Sequence, residues 1–189
     1  MKRVIIVGVG ALGSHVLLFA RNWDARFVVL DFDRVEMKNV ASQMHTRMGL
    51  RRNKAQAAQQ GMQGMFGLKI DAVPHKLTPD NCRQLLSEAD LVIDCTDNIE
   101  ARNLIRAWAD APVLHGTLSA DGDFARIVWG EHFTPDAEGT EGAATCEDGE
   151  QLPFFALAAA HLAQEAQRFL SEGTKRSFQI TPTGVVRLV

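Results

Sequence analysis

Short, unbroken apolar runs alternate along this chain with longer stretches whose apolar residues recur at helical spacing. Arg3 to Val7 is one such run. A strand apolar at nearly every position suits a sheet that is covered on both faces. Gly8-Val9-Gly10-Ala11-Leu12-Gly13 follows as a turn, and Ser14 to Asn22 reads as a helix carrying Val16, Leu17 and Ala20 on one side. Arg26 to Leu30 is a second strand. The opening is therefore strand, glycine turn, helix, strand, the first unit of a doubly wound sheet.

The pattern continues with a polar, Ala/Gln-rich helix from Arg52 to Gly64, a third strand from Leu68 to Pro74 and a short helix from Pro79 to Ser87. Leu91 to Asp94 reads as a fourth strand, Asn98 to Ala109 as a helix and Pro112 to Gly116 as a fifth strand. The signal then changes. Thr117 to Ala120 and Phe124 to Gly130 are strand-like and joined by Asp121-Gly122-Asp123, which predicts a hairpin. Glu131 to Gln151 is the longest loop candidate, and long loops in compact domains are often functional. Leu152 to Leu170 is an Ala-rich helix stopped by Gly173, apolar on more than one face. Phe178 to Ile180 and Val185 to Leu188 flank Thr181-Pro182-Thr183-Gly184 as a terminal hairpin. With no repeat, low-complexity tract or linker, residues 1–189 read as one domain. The expected class is α/β: a doubly wound, Rossmann-like, mainly parallel sheet with antiparallel strands in its C-terminal part.

Composition narrows the function classes. Of 189 residues, 46% are apolar and 23% charged, as in an ordinary globular domain with a real core. The net charge of -3 offers no basic field for nucleic acid or an anionic membrane. No apolar run approaches the roughly 20 residues of a membrane span. Val4 to Val9 leads straight into a glycine loop, unlike a signal peptide. Cys82, Cys95 and Cys146 are widely spaced and no C-x-x-C occurs, so neither a disulfide framework nor a paired zinc site is expected, and a reducing cytoplasm is. The histidines show no ligand spacing.

Gly8-x-Gly10-x-x-Gly13 sits between a strand and a helix, as a dinucleotide fingerprint requires. Such glycines allow a tight turn and close approach of phosphate to the amides at a helix N-terminus. Asp31, at the end of the second strand, stands where a carboxylate accepts ribose hydroxyls. Alone, this says NAD, FAD, ATP or S-adenosylmethionine, or a glycine turn kept only for close helix packing.

Two further motifs are more specific. Asp31-x-Asp33-x-Val35-x-x-x-Asn39, and Asp94-Cys95-Thr96-Asp97-Asn98 with Arg102, resemble the signatures of the ThiF/MoeB superfamily, which includes the ubiquitin-activating enzymes. The match of order and spacing covers residues 3 to 116 and resumes over 144 to 170. The resemblance implies ATP-dependent adenylation of the C-terminal glycine of a ubiquitin-like or sulfur-carrier protein. It implies that Gly8, Gly10 and Gly13 form the nucleotide loop, that Asp31 holds the ribose with Asp33 also in the cofactor site, that Asn39 and Lys54 contact phosphates, and that Asp97 holds Mg²⁺. It also implies a homodimer. One carboxylate suits Mg²⁺, which keeps waters and borrows phosphate oxygens. Plainer roles exist for each residue: Lys54 as a solvated residue opening a polar helix, Asp97 as a helix cap, Asn39 as an ordinary loop residue.

Cys146, in Thr145-Cys146-Glu147-Asp148-Gly149, is similar in place to the loop cysteine of sulfur-carrier activators, where it would attack an acyl adenylate. Its acidic neighbours Glu141, Glu147, Asp148 and Glu150 should raise a thiol pKa and weaken that role. Cys82 and Cys95 read as packing residues.

The chain also departs from the family. Ser42-Gln43 stands where Arg-Gln is usual, which removes a phosphate-contacting guanidinium; Arg47, Arg51 and Arg52 are the nearby arginines that could reach the site instead, and the sequence does not choose among them. The chain opens directly on its first strand, without the helical segment that often supplies an arginine to a partner subunit. The family's zinc pairs are missing. These departures keep a second class open, a non-catalytic module that binds nucleotide or a partner. A third, an NAD-dependent oxidoreductase, is disfavoured because no separate substrate domain or catalytic His/Lys/Tyr arrangement is visible and tyrosine is absent.

Overall fold

The structure is a computed structural model that describes residues 1–119, 123–133 and 151–188. Strands β1 (Lys2–Val7), β2 (Ala25–Leu30), β3 (Asp71–Val73), β4 (Leu91–Asp94), β5 (Val113–Leu118), β6 (Ala125–Trp129), β7 (Ser177–Thr181) and β8 (Gly184–Leu188) form one sheet in the order β3-β2-β1-β4-β5-β6-β7-β8. The neighbours from β3 through β5 are parallel and those from β5 through β8 antiparallel. The mainly parallel, doubly wound expectation holds, with its antiparallel C-terminal part.

The helices are α1 (Ala11–Phe19), α2 (Asn39–Ser42), α3 (Lys54–Phe66), α4 (Cys82–Leu86), α5 (Ile99–Trp108) and α6 (Leu152–Glu172). They explain the unbroken apolar strands. On β1, Val4 and Ile6 join the core beneath α1, α3 and α6, while Ile5 and Val7 join a second core beneath α4 and α5. On β2, Phe27 and Val29 face the first core and Val28 and Leu30 the second. A strand buried on both sides has no face to leave polar.

The expected elements need adjustment at their edges. The fifth strand and the first arm of the following hairpin are one strand, β5. Val113 to His115 pair with β4 on one side, and Leu114 to Leu118 pair with β6 on the other. The third strand is shorter than its apolar run, and the short helix α2 was not expected at all. Most of the apolar surface of α6 is covered within the chain: Phe155, Ala159, Leu162 and Ala166 are buried with α1 and sheet residues, while Leu157 stays exposed. No helix among the described residues is long and apolar enough to cross a membrane.

Candidate nucleotide site at the strand ends

Chain order reverses across β1, since β2 lies on one side and β4 on the other. In open α/β sheets the crevice outside the carboxyl ends of the strands at such a point is the usual ligand site. Here it is a cavity of about 520 Å³. Gly8, Gly10, Asp31, Asp33, Asn39, Lys54 and Asp97 all line it, although they are spread over almost ninety residues of sequence.

The first wall is the β1–α1 turn. Gly8 has φ +83°, and a Cβ there would lie 2.9 Å from the carbonyl oxygen of Cys95, so glycine is required on both counts. The α1 helix begins at Gly10 with no capping side chain, leaving the first-turn amides of Ala11 and Leu12 beside the cavity. Uncapped amides at the positive end of a helix dipole favour an anion. Gly13 does something else. It is not on the cavity wall, and a Cβ there would overlap the carbonyl oxygen of Gly8. It lets the helix lie against the turn, which was the packing role left open for a glycine.

Asp31 ends β2. Its carboxylate accepts from the backbone N–H of Val9 at 2.8 Å and of Asp33 at 2.9 Å, so it ties the glycine turn to the next loop. Burial raises the pKa of Asp31, and the charge of Lys54 and the two amides oppose that rise. Lys54 is buried rather than solvated, with its side chain 11% exposed, and its ammonium lies 3.3 Å from the half-exposed carboxylate of Asp33. Asn53 holds this corner. Its side chain caps α3 by accepting from Gln56 N–H, and donates to the carbonyls of Asp31 at 2.7 Å and Asp33 at 3.1 Å. Asn39 is also buried, and its side-chain oxygen accepts from the Glu36 amide at 2.8 Å.

Beneath the turn, His45 Nε2 donates to the Val9 carbonyl at 2.9 Å. Burial, followed by the charges of Lys54 and His15, lowers its pKa from 6.5 to about 4, so the ring is neutral at physiological pH. Val9 is thus held by Asp31 at its nitrogen and by His45 at its oxygen. The histidines' sequence spacing carried no sign of this.

The second wall is the β4–α5 turn. Asp97 is exposed and makes no hydrogen bond or ion pair among the described residues. It does not cap α5, because Asn98 accepts from Ala101 N–H at 2.8 Å and takes that role. Arg102 donates through Nε and Nη2 to the Thr96 carbonyl at 3.2 and 2.6 Å and lines the cavity. Cys95 is on this wall too. Burial and the adjacent Asp94 push its thiol well above its ordinary value, which fits packing rather than nucleophilic work.

The cations differ from expectation. Arg47, Arg51 and Arg52 do not line the cavity. Arg34, Lys38, Lys76 and Arg102 do. Ser42 is fully buried, with its hydroxyl unpartnered among the described residues, so this backbone turns that position inward, away from the cavity. Cys146 lies outside the described residues.

Among the described residues no three His, Cys, Asp or Glu side chains gather as a metal site. A divalent cation in the cavity would therefore take one protein carboxylate together with water and phosphate oxygens, and the unpaired Asp97 has the chemistry for that.

A model described as the ThiF family matches residues 1–182. A sulfur carrier protein adenylyltransferase from Thermus thermophilus is 36% identical over 116 residues, covering 60% of this chain and 42% of the relative. The adenylyltransferase and sulfurtransferase UBA4 of Lodderomyces elongisporus is 27% identical over 198 residues, covering 96% of this chain and 43% of the relative. The chain thus spans under half the length of these curated relatives. Among solved structures, E. coli MccB with AMPCPP and MccA superposes with a TM-score of 0.80 at 14% identity, covering 99% of this chain and 63% of that one. At such identity the superposition speaks for the fold.

Proposed function

The chain belongs to the ThiF family, and from that premise we propose that it binds ATP with Mg²⁺ and adenylates the C-terminal carboxylate of a ubiquitin-like or sulfur-carrier protein. The observation that carries this reading is a single cavity shared by the uncapped start of α1, the buried Lys54 and the unpaired Asp97. The relatives named as adenylyltransferases support the reaction type.

In this reading the triphosphate lies along the amides of Ala11 and Leu12, where the helix dipole and Lys54 offset its charge. Asp31 and Asp33 stand at the end of β2 for the ribose. A carboxylate oxygen of the carrier's last glycine attacks the α-phosphorus, the bond to the β-phosphate oxygen breaks, and an acyl adenylate and pyrophosphate result. The residues supply positioning and electrostatic stabilisation and need not exchange a proton, since the attacking group is already ionised. Mg²⁺ at Asp97 would screen two anions brought together. The proposal extends to a homodimer, on the resemblance alone, and light scattering at micromolar concentration tests it.

The decisive experiment is ATP–pyrophosphate exchange with small β-grasp carrier proteins ending in Gly-Gly, run beside calorimetric titration with ATP·Mg²⁺ and NAD. Carrier-dependent exchange is expected. Tight NAD binding without an ATP response would overturn the reading. Tight ATP binding without exchange by any such carrier would favour a nucleotide-binding module without turnover.

A further inference from the structure

Behind the β4–α5 turn lies a buried side chain that does not line the cavity. His115, on β5, is fully buried and lies beside Asp94 in the parallel register of β4 and β5. Its Nδ1 is 2.7 Å from Asp94 Oδ2, and the carboxylate is itself 1% exposed. The other carboxylate oxygen, Oδ1, accepts from the Thr96 N–H at 2.9 Å and from the Thr96 hydroxyl at 2.7 Å. The carbonyl of the same Thr96 receives the guanidinium of Arg102. Asp97 follows Thr96 directly.

The far side of the imidazole is as constrained as the near side. The ring stacks on Phe133 with centroids 3.9 Å apart and planes 11° apart, and the Arg102 guanidinium stands 6.0 Å from the centre of that same Phe133 ring. Nε2 is buried and has no hydrogen-bond partner among the described residues. A buried polar atom left unpaired costs free energy. An apolar side chain would avoid that cost, so the imidazole is there for what Nδ1 does.

We propose that His115 is a positioning residue. By donating from Nδ1 to Asp94 it fixes the rotation of that carboxylate, hence the Thr96 peptide, hence where Arg102 and Asp97 stand on the cavity wall. Without the donor, Asp94 keeps a buried charge with only the Thr96 N–H and hydroxyl on it. It would turn toward water or another donor, and the turn would follow. The geometric part of this inference stands apart from the proposed function. Only its activity arm rests on the cavity being an adenylation site.

The test uses ¹⁵N-labelled protein, with the Arg102 Nε–H signal assigned by its loss in Arg102→Lys. In the unmodified chain the His115 ring is expected to carry its proton on Nδ1, and a ring without a proton there overturns the inference. In His115→Leu the Arg102 Nε–H signal should shift or broaden. Pyrophosphate exchange should lose more than tenfold in kcat with a smaller change in the KM for ATP. His115→Asn, whose Nδ2 occupies the place of Nδ1, should restore both. An Arg102 signal unmoved in His115→Leu, or unrestored in His115→Asn, overturns the proposal. Should His115→Leu fail to fold, the ring protonation of the unmodified chain and the His115→Asn spectrum decide. A shifted Arg102 signal in a chain with no exchange activity of any kind upholds the positioning role and sinks adenylation instead.

Discussion

The two walls of the cavity are built on different plans. On the wall made by β1, β2 and the start of α3, the side chains of Asp31, Asn53 and Lys54 are answered within the protein, and the first-turn amides of α1 stand open. Asp31 holds two amides, Lys54 lies against Asp33, and Asn53 joins a helix cap to two carbonyls. On the wall made by the β4–α5 turn, charge is left over. Asp97 has no partner among the described residues, and Arg102 is bonded to a neutral carbonyl rather than to a carboxylate. A wall whose groups are already paired costs little to hold still and is suited to grip a ligand. A wall with uncompensated charge is suited to act on charge that arrives with the ligand or develops during reaction.

The largest effect should come from the second wall. Asp97→Ala is expected to lower pyrophosphate exchange by about a hundredfold or more, the scale seen when a preorganised electrostatic group is removed. Its melting temperature should stay close to that of the unmodified chain, because Asn98 caps α5. Full exchange in the purified variant would remove the distinction between the walls.

His45 probes how firmly the first wall is braced. The folded chain keeps this ring neutral down to about pH 4, while the unfolded chain protonates it near 6.5. Between these values the unfolded state binds more protons, so stability falls as pH drops through that window, by about 3 kcal/mol in total. His45→Gln keeps a donor for the Val9 carbonyl and has no such titration. Denaturant melts from pH 7 to pH 4 should show a flatter acid limb in the variant. An unchanged limb would mean that His45 does not couple the turn to acid.

Two glycines of the same turn should respond oppositely. Gly13→Ala forces a Cβ into the Gly8 carbonyl and should cost about 2–3 kcal/mol in urea melts, the scale of overpacking. At Gly10 the nearest obstacle to a Cβ is the Gln43 amide nitrogen, 3.9 Å away. Gly10→Ala should therefore fold with little loss, and weaken nucleotide binding in calorimetry because it narrows the cavity wall. Equal stability losses at both positions would show that the turn cannot be divided into a packing glycine and a ligand glycine.

The smallest effect concerns the capping of α5. Asn98→Ala should lose about 1 kcal/mol of stability, as removal of a helix cap does. Thermal melts that instead assign this loss to Asp97→Ala would return Asp97 to the plain structural role.

The sequence alone determined the order of elements, the two-sided burial of β1 and β2, the glycine turn, and the set of motif residues that meet at the strand ends. Those features are written locally: an apolar run, a glycine spacing and a carboxylate at the end of a strand each fit inside a short window. The tertiary structure decided what the same residues do to one another. Lys54 opens a polar helix, yet it is buried, because that helix starts over the end of β2. Asp97 offered a plain cap for the helix that follows it, yet the turn leaves it exposed and Asn98 takes the cap. His115 and Asp94 are 21 residues apart and became partners through the register of two parallel strands. The cavity took Arg34, Lys38 and Lys76 rather than Arg47, Arg51 and Arg52, since the direction of a side chain depends on the backbone around it. Local patterns follow from short-range sterics and burial periodicity. Which distant groups share a desolvated space follows only from strand register and helix docking, and no stretch of sequence contains either.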